Sequence, residues 1–252
     1  MGETGPCGPC SEIHYDLGPA AAEPGREHEE FPLDGGGRFM EIWNLVFMQF
    51  DRSIDGKLTP LPRPSIDTGM GLERVAAVLQ GKLSNYETDL LEPICQRAAE
   101  LLGGKASPST LNVAADHGRA TAFLIHDGVV QANEGRGYVL RKIMRRAIRH
   151  ARRDGCQTLF LSELTSFVAD FMKPAYPELL ESVDRVSRIV RDEEHRYATT
   201  FAVAEKIFHD EAKAATGGVL PGAAAFKRYD AYGLALDEQR DMAREGGVTI
   251  DT

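Results

Sequence analysis

Asp67, Gly69, Gly71 and Arg74 fall within eight residues of one another, in the segment SIDTGMGLERVA (65–76). Glycines at 69 and 71 let backbone approach a ligand closely, because no side chain stands in the way. The apolar run after Glu73 and Arg74 has a helical pattern, and a helix N-terminus offers free N–H groups and partial positive charge to an anion. An arginine in that first turn works slightly against the helix dipole; a facing anion such as a phosphate accounts for it. Asp67 can hold a cation, either an ammonium group or a metal. The plain alternative is a strand–turn–helix with a cap and a surface ion pair. A dinucleotide fingerprint needs a third glycine where Arg74 stands, and the preceding segment is proline-rich rather than a clean strand, so that fingerprint is not met.

Two other stretches could do chemistry. CGPC (7–10) has the spacing of a dithiol redox motif, but such a motif follows a strand and opens a helix. Here SEIHYD follows, which alternates like a strand. A tight Gly/Pro turn beside an active site is the expectation, with dithiol oxidoreductase as the alternative from another class. A zinc site would need two further ligands; His14 and His28 are available, but there is no second CxxC. Residues 136–153 carry Arg136, Arg141, Lys142, Arg145, Arg146, Arg149, Arg152 and Arg153 with no acid among them. Leu140, Ile143, Met144, Ala147, Ile148 and Ala151 form the opposing apolar stripe. A solvated helix face is the plain reading. Yet solvated faces normally mix signs, and the chain as a whole has a net charge of −9, so a one-sign stripe points to a phosphate backbone.

The elements that must position these residues change character along the chain. SEIHYD (11–16) and FMEIWNLVFMQFD (39–51) read as strands, the second as one or two, separated by a loop rich in Gly, Pro and acid. After Asp67 helices take over: one continuing through VAAVLQ (75–80), and one over 88–104 capped by Thr88 and stopped by Gly103. GGKASPS (103–109) is the best linker. Further amphipathic helices follow, with 176–218 reading as one long charge-laced helix. The expected fold class is α+β: an antiparallel sheet domain over 1–104 and a mostly α-helical domain over 105–252. At 252 residues the chain is long enough for two such cores. No run of eighteen apolar residues is present to span a membrane, and the N-terminus lacks signal-peptide order, which favours the cytoplasm. Four cysteines are too few for a disulfide scaffold.

The segment DTGMGLERVAAVL resembles motif 3 of the class II aminoacyl-tRNA synthetases, and more narrowly its version in the alanyl-tRNA synthetase family. GETGPCGPCSEIHYD (2–16), EIWNLVFMQF (41–50), SIDTGMGLERVAAVLQG (65–81), SNYETDL (84–90) and NEGRGYVLRKIMRRAIRHAR (133–152) match that family in order and spacing. The resemblance implies an alanine–tRNA ligase with ATP, Mg²⁺, L-alanine and the acceptor stem of alanine tRNA as ligands. It further implies that Arg74 binds the terminal phosphates of ATP and Asp67 the alanine ammonium, so that these two carry the catalysis. Asn44, Val46 and Gly69 would line the amino-acid pocket, Gly71 would lie by the nucleotide, and Glu41 by Mg²⁺. Asn133 and Asp230 would read a G·U wobble pair, with Arg136, Arg141, Arg145 and Arg149 on the tRNA. Apart from that Mg²⁺ bound with ATP, no metal site within the chain itself is implied.

Because the match is already under way at Gly2, motifs 1 and 2 are expected upstream. The zinc-bearing editing domain, of which no HxxxH trace occurs, is expected downstream. The expectation is an internal piece of a longer synthetase that binds acceptor stems weakly and shows little ATP–pyrophosphate exchange alone. A tRNA acceptor-stem binding module without activation activity is the remaining alternative.

Overall fold

The structure is a computed structural model and describes residues 4–33, 36–234 and 236–251; at 200–202, 216, 237 and 245 it describes the backbone alone. Gly2 and Glu3 of the first matching segment lie outside the described residues. The chain divides into two compact units, Met1–Pro93 and Ile94–Thr252.

The first unit is built on one long strand. β3 (Phe39–Arg52) pairs antiparallel along one edge with β1 (Gly5–Cys7) and β2 (Cys10–Asp16) in tandem, and along the other with β4 (Leu58–Met70). The expected strands at 11–16 and 39–51 are present, the second as a single strand. CGPC is not a reversing turn. Cys7 pairs with Phe50 and Cys10 with Val46, so the motif joins two strands that run along the same edge. The Phe47 N–H donates to the Pro9 carbonyl at 2.9 Å. A Cβ on Gly8 would lie 1.8 Å from the Phe47 oxygen, so only glycine fits there. The redox reading loses its helix, and both thiols are free.

The proline-rich segment is nevertheless a strand. Pro60, Pro62 and Pro64 are spaced by two, which puts their missing donors on one edge, and residues 61–64 fall in a break in the pairing register with β3. None of the residues in these four strands is fully buried. The following helix α1 (Leu72–Leu79) buries Ala77.

The loop over 17–38 is clasped by one ion pair. Arg38 donates from Nε to Asp16 Oδ1 and from Nη2 to Oδ2, both at 2.7 Å, and from Nη1 to the Glu27 carbonyl at 2.9 Å. The Arg38 fork, aided by the Gly18 N–H, lowers the Asp16 carboxyl to about 2. A depressed carboxyl stabilises the fold fully above its unfolded range of about 4 and loses that contribution as pH falls through about 2. The clasp is therefore expected to survive at pH 3. An NMR titration of the Asp16 carboxyl should have its midpoint near 2; a midpoint near an ordinary ~4 would mean that the pair is open in solution.

The second unit is helical. α2 (Glu92–Leu101) enters it from the first unit. It starts later than the sequence suggested: the Thr88 hydroxyl bonds the Asn85 carbonyl at 2.6 Å instead of capping. α3 (Pro108–His126), α4 (Gly135–Arg153), α5 (Leu161–Met172) and α6 (Val183–Arg196) form the core. α4 buries Leu140, Met144, Ala147, Ile148 and Ala151, the stripe legible in its sequence, against α3. Ser107 caps α3, and its N–H donates to Asp154 Oδ2 at 2.7 Å, tying the start of α3 to the end of α4.

The expected single helix over 176–218 is interrupted. A 3₁₀ segment (Pro177–Ser182) precedes α6, and a π-helical segment (Tyr197–Phe201) separates α6 from α7 (Ala202–Ala214). Thr199 bonds back to the His195 and Arg196 carbonyls at 3.0 and 3.2 Å, the side-chain competition that loosens a helix turn. Burial pushes the Tyr197 hydroxyl well above its usual range. α8 (Gly222–Tyr232) and α9 (Leu236–Glu245) follow, and two short parallel strands, β5 (Val219–Leu220) and β6 (Thr249–Ile250), flank them.

Candidate functional site

Strand register gathers the first group of residues. Cys10, Val46 and Asp67 lie directly opposite one another across β2, β3 and β4, and Glu12, Asn44 and Gly69 form the next same-face rung. Side chains at paired positions share a face, so these two rungs make one surface. Asn44 is fixed within it. Its Nδ2 stands 3.1 Å from Cys10 Sγ and 3.3 Å from Glu12 Oε1, which occupies both amide hydrogens. Oδ1 accepts no hydrogen bond among the described residues and is left as an acceptor. Two oxygen acceptors on one face, Asn44 Oδ1 and the Asp67 carboxylate, suit an ammonium donor. A Cβ on Gly69 would meet nothing within 4 Å, so the surface between them is open.

A β-bulge adds Glu41 to this face. Simple alternation from Asn44 would turn an odd-numbered residue of β3 away. The pairing shifts between Ile13 and His14, leaving Ile42 unmatched and setting Glu41 opposite His14. Bulges re-aim side chains in this way. Arg74, in the first turn of α1, donates from Nη1 to the Glu41 carbonyl at 2.6 Å and stands 3.9 Å from its carboxylate. Gly71 precedes α1, and a Cβ there would come within 3.1 Å of Arg74 Cδ, so glycine leaves the arginine stem room to fold back. Among the described residues no group of three or more His, Cys, Asp or Glu is arranged to hold a metal.

A second site lies within the helical unit. Asn133, in the loop before α4, and Asp230, in the last turn of α8, are both exposed and line one cleft of about 260 Å³ with Tyr138, Arg141, Arg145, Tyr229 and Gly233. The loop is seated tightly: a Cβ on Gly137 would lie 2.2 Å from the Val130 carbonyl oxygen. Arg141 donates from Nη1 to Asn133 Oδ1. Arg145 donates from Nε to the buried Glu193 of α6 at 2.7 Å and from Nη1 to the Gly233 carbonyl at 3.2 Å. Arg136 is exposed at the start of α4, and Arg149 lies half-buried toward its end. Arg152 lies over the Tyr197 ring, 5.3 Å from its centroid. The arginine stripe is thus partly answered by groups distant in sequence.

Cys10, Glu12 and Glu193 were not among the residues expected from the sequence. Alternation places Cys10 and Glu12 on one face of CSEIHYD (10–16), but only the register with β3 brings them to Asn44. Nothing near Glu193 in sequence signals its role.

An antiparallel sheet that delivers an aspartate, two glycines and an arginine into a helix start, followed by helices with an arginine-rich cleft, is the arrangement of a class II synthetase. The family profile described as tRNA synthetases class II (A) matches residues 1–252, and the chain belongs to that family. It is 67% identical over its whole length to the alanine–tRNA ligase of Solibacter usitatus (strain Ellin6076), of which it covers 29%. It is 52% identical to that of Stenotrophomonas maltophilia (strain K279a) and 50% to that of Hydrogenovibrio crunogenus (strain DSM 25203 / XCL-2), again over its whole length and 28% and 29% of theirs. The chain spans less than a third of these relatives.

Proposed function

We propose that the chain forms part of an alanine–tRNA ligase, which activates L-alanine with ATP and passes the alanyl group to the 3′ end of alanine tRNA in the cytoplasm. The observation that carries this reading is the shared face of Asp67 and Asn44, with Arg74 held beside Glu41 at the edge of it.

The alanine carboxylate attacks the α-phosphorus of ATP, the bond to the β-phosphate oxygen breaks, and pyrophosphate leaves. The nucleophile is already ionised, so no general base is needed; positioning and charge neutralisation supply the catalysis. Asp67 and the Asn44 acceptor orient the ammonium. Val46 and the open space over Gly69 receive the methyl group. Arg74 takes the terminal phosphates, with Gly71 leaving its stem room. The Glu41 carboxylate would supply one oxygen ligand to a Mg²⁺ bound together with ATP, and such an ion would neutralise phosphate charge. A small pocket alone rejects glycine weakly, since one methyl is worth ~1–3 kcal/mol.

In the tRNA step Asn133 and Asp230 read the G·U pair of the acceptor stem, and the α4 arginines serve that cleft. With its oxygen taken by Arg141, Asn133 offers N–H donors, while Asp230 offers acceptors; a base-pair edge carries both kinds of partner. Arg136, at the exposed end of α4, contacts phosphate, as do Arg141 and Arg149, while Arg145, in the cleft wall, is tied to Glu193 and the Gly233 carbonyl. Because the cleft is built wholly within residues 133–233, a second reading stands: an acceptor-stem binding module without activation.

A chimera tests the first reading. This segment, replacing its counterpart in the Solibacter relative, should support alanine-dependent ATP–pyrophosphate exchange. Loss of exchange in a folded chimera that still binds acceptor stems would leave the binding module.

A further inference from the structure

We propose that Glu193 is a positioning residue for base-pair reading: a buried carboxylate on α6 that sets the spacing of Asn133 and Asp230 through two arginines. The proposal rests on the tRNA reading above and adds a residue that touches no RNA.

The two readers are held by separate parts of the chain. Asn133 precedes α4, and Asp230 lies in the last turn of α8, 97 positions later. Reading both edges of one base pair requires that the amide and the carboxylate keep a fixed distance and that the amide keep one orientation. Arg141 serves the first reader, since its Nη1 donates to Asn133 Oδ1 and so fixes which side of the amide faces the cleft. Arg145 serves the second. Its Nη1 donates to the carbonyl of Gly233, the residue that ends the helix carrying Asp230, and lies 3.8 Å from Glu238 on α9.

Both arginines converge on one oxygen. Glu193 Oε1 accepts from Arg145 Nε at 2.7 Å and stands 4.0 Å from Arg141 Nε. The Glu193 side chain is 1% exposed and does not line the cleft. Its other oxygen, Oε2, and Arg141 Nε are buried without a hydrogen-bond partner among the described residues, and Arg141 Nε faces the carboxylate at 4.0 Å. A buried carboxylate between two guanidinium groups resists displacement of either one, because each loses its counter-charge if it moves.

Removing the charge has an unusual signature. Glu193→Gln removes the charge shared by two guanidinium groups next to an RNA cleft and so deletes a negative charge behind it. Sequence-independent attraction to phosphate is then kept or strengthened, while the amide lock and the spacing are lost. Specific and non-specific binding should therefore move in opposite directions, which loss of structural support alone would not produce.

The test is fluorescence anisotropy of the 252-residue chain with two labelled alanine-tRNA acceptor-stem hairpins, one with the G·U pair and one with G·C in its place. The unsubstituted chain should prefer G·U. E193Q should lower that preference about tenfold, with G·C binding unchanged or tighter. Arg145→Lys, which keeps the charge but cannot bridge Glu193 and Gly233 together, should lower it too and covers the case in which E193Q does not fold. Equal weakening of both hairpins, or an unchanged preference in folded variants, overturns the role of Glu193. Absence of any preference in the unsubstituted chain sinks the tRNA reading itself, and the positioning role with it.

Discussion

Asp67→Asn in the chimera should cut kcat/KM for L-alanine in ATP–pyrophosphate exchange by about a hundredfold. The substitution keeps the shape of the side chain and removes one formal charge. An ammonium taken out of water needs a counter-charge, and truncating one partner of such a pair costs about 2–5 kcal/mol. Asn44 cannot make up the loss, because its oxygen is a neutral acceptor and its nitrogen is held by Cys10 and Glu12. The ammonium is bound before and during attack on phosphorus alike, so the effect should fall mainly on the KM for alanine. The KM for ATP should stay near its original value, since phosphate contacts are assigned to Arg74. Equal rises in both constants would mean that Asp67 supports the sheet and does not face the amino acid.

Glu194→Ala should destabilise the helical unit by about 3–5 kcal/mol, because three buried backbone donors lose their acceptor at once. Glu194 is 1% exposed and accepts the N–H groups of Phe160 and Leu161 at 2.8 Å and of Ser162 at 3.1 Å. These amides open α5, whose own N-cap residue, Phe160, has no side-chain oxygen. A carboxylate from α6 thus caps α5, and it also faces the positive end of the helix dipole. Alanine would leave three buried donors unpaired, each costing about 1–3 kcal/mol before relaxation. Glu194→Gln keeps an acceptor and should cost roughly half as much. Urea unfolding followed by far-UV circular dichroism measures both, since most helix lies in this unit. A loss under ~1 kcal/mol for the alanine variant would mean that water takes over the three donors.

By itself the sequence determined the parts that depend on near neighbours. Alternation in SEIHYD and in 39–51 encodes the strands, and the stripe from Leu140 to Ala151 encodes α4, because the periods of two and 3.6 residues are local properties. The Asp67–Arg74 turn was legible for the same reason: its glycines, aspartate and arginine lie within one strand-to-helix junction. Tertiary structure decided what depends on register and on chain returning from far away. The bulge at Ile42 turned Glu41 onto the site, the tandem pairing of β1 and β2 made CGPC a joint and brought Cys10 and Glu12 to Asn44, and the alternate prolines proved compatible with a strand along β4. A stripe of arginines without an acid reads as a bare cationic face until Glu193 arrives 48 positions after Arg145 and is buried against it. Pairing of that kind is set by how helices pack, and packing energy is shared among residues that no short window contains.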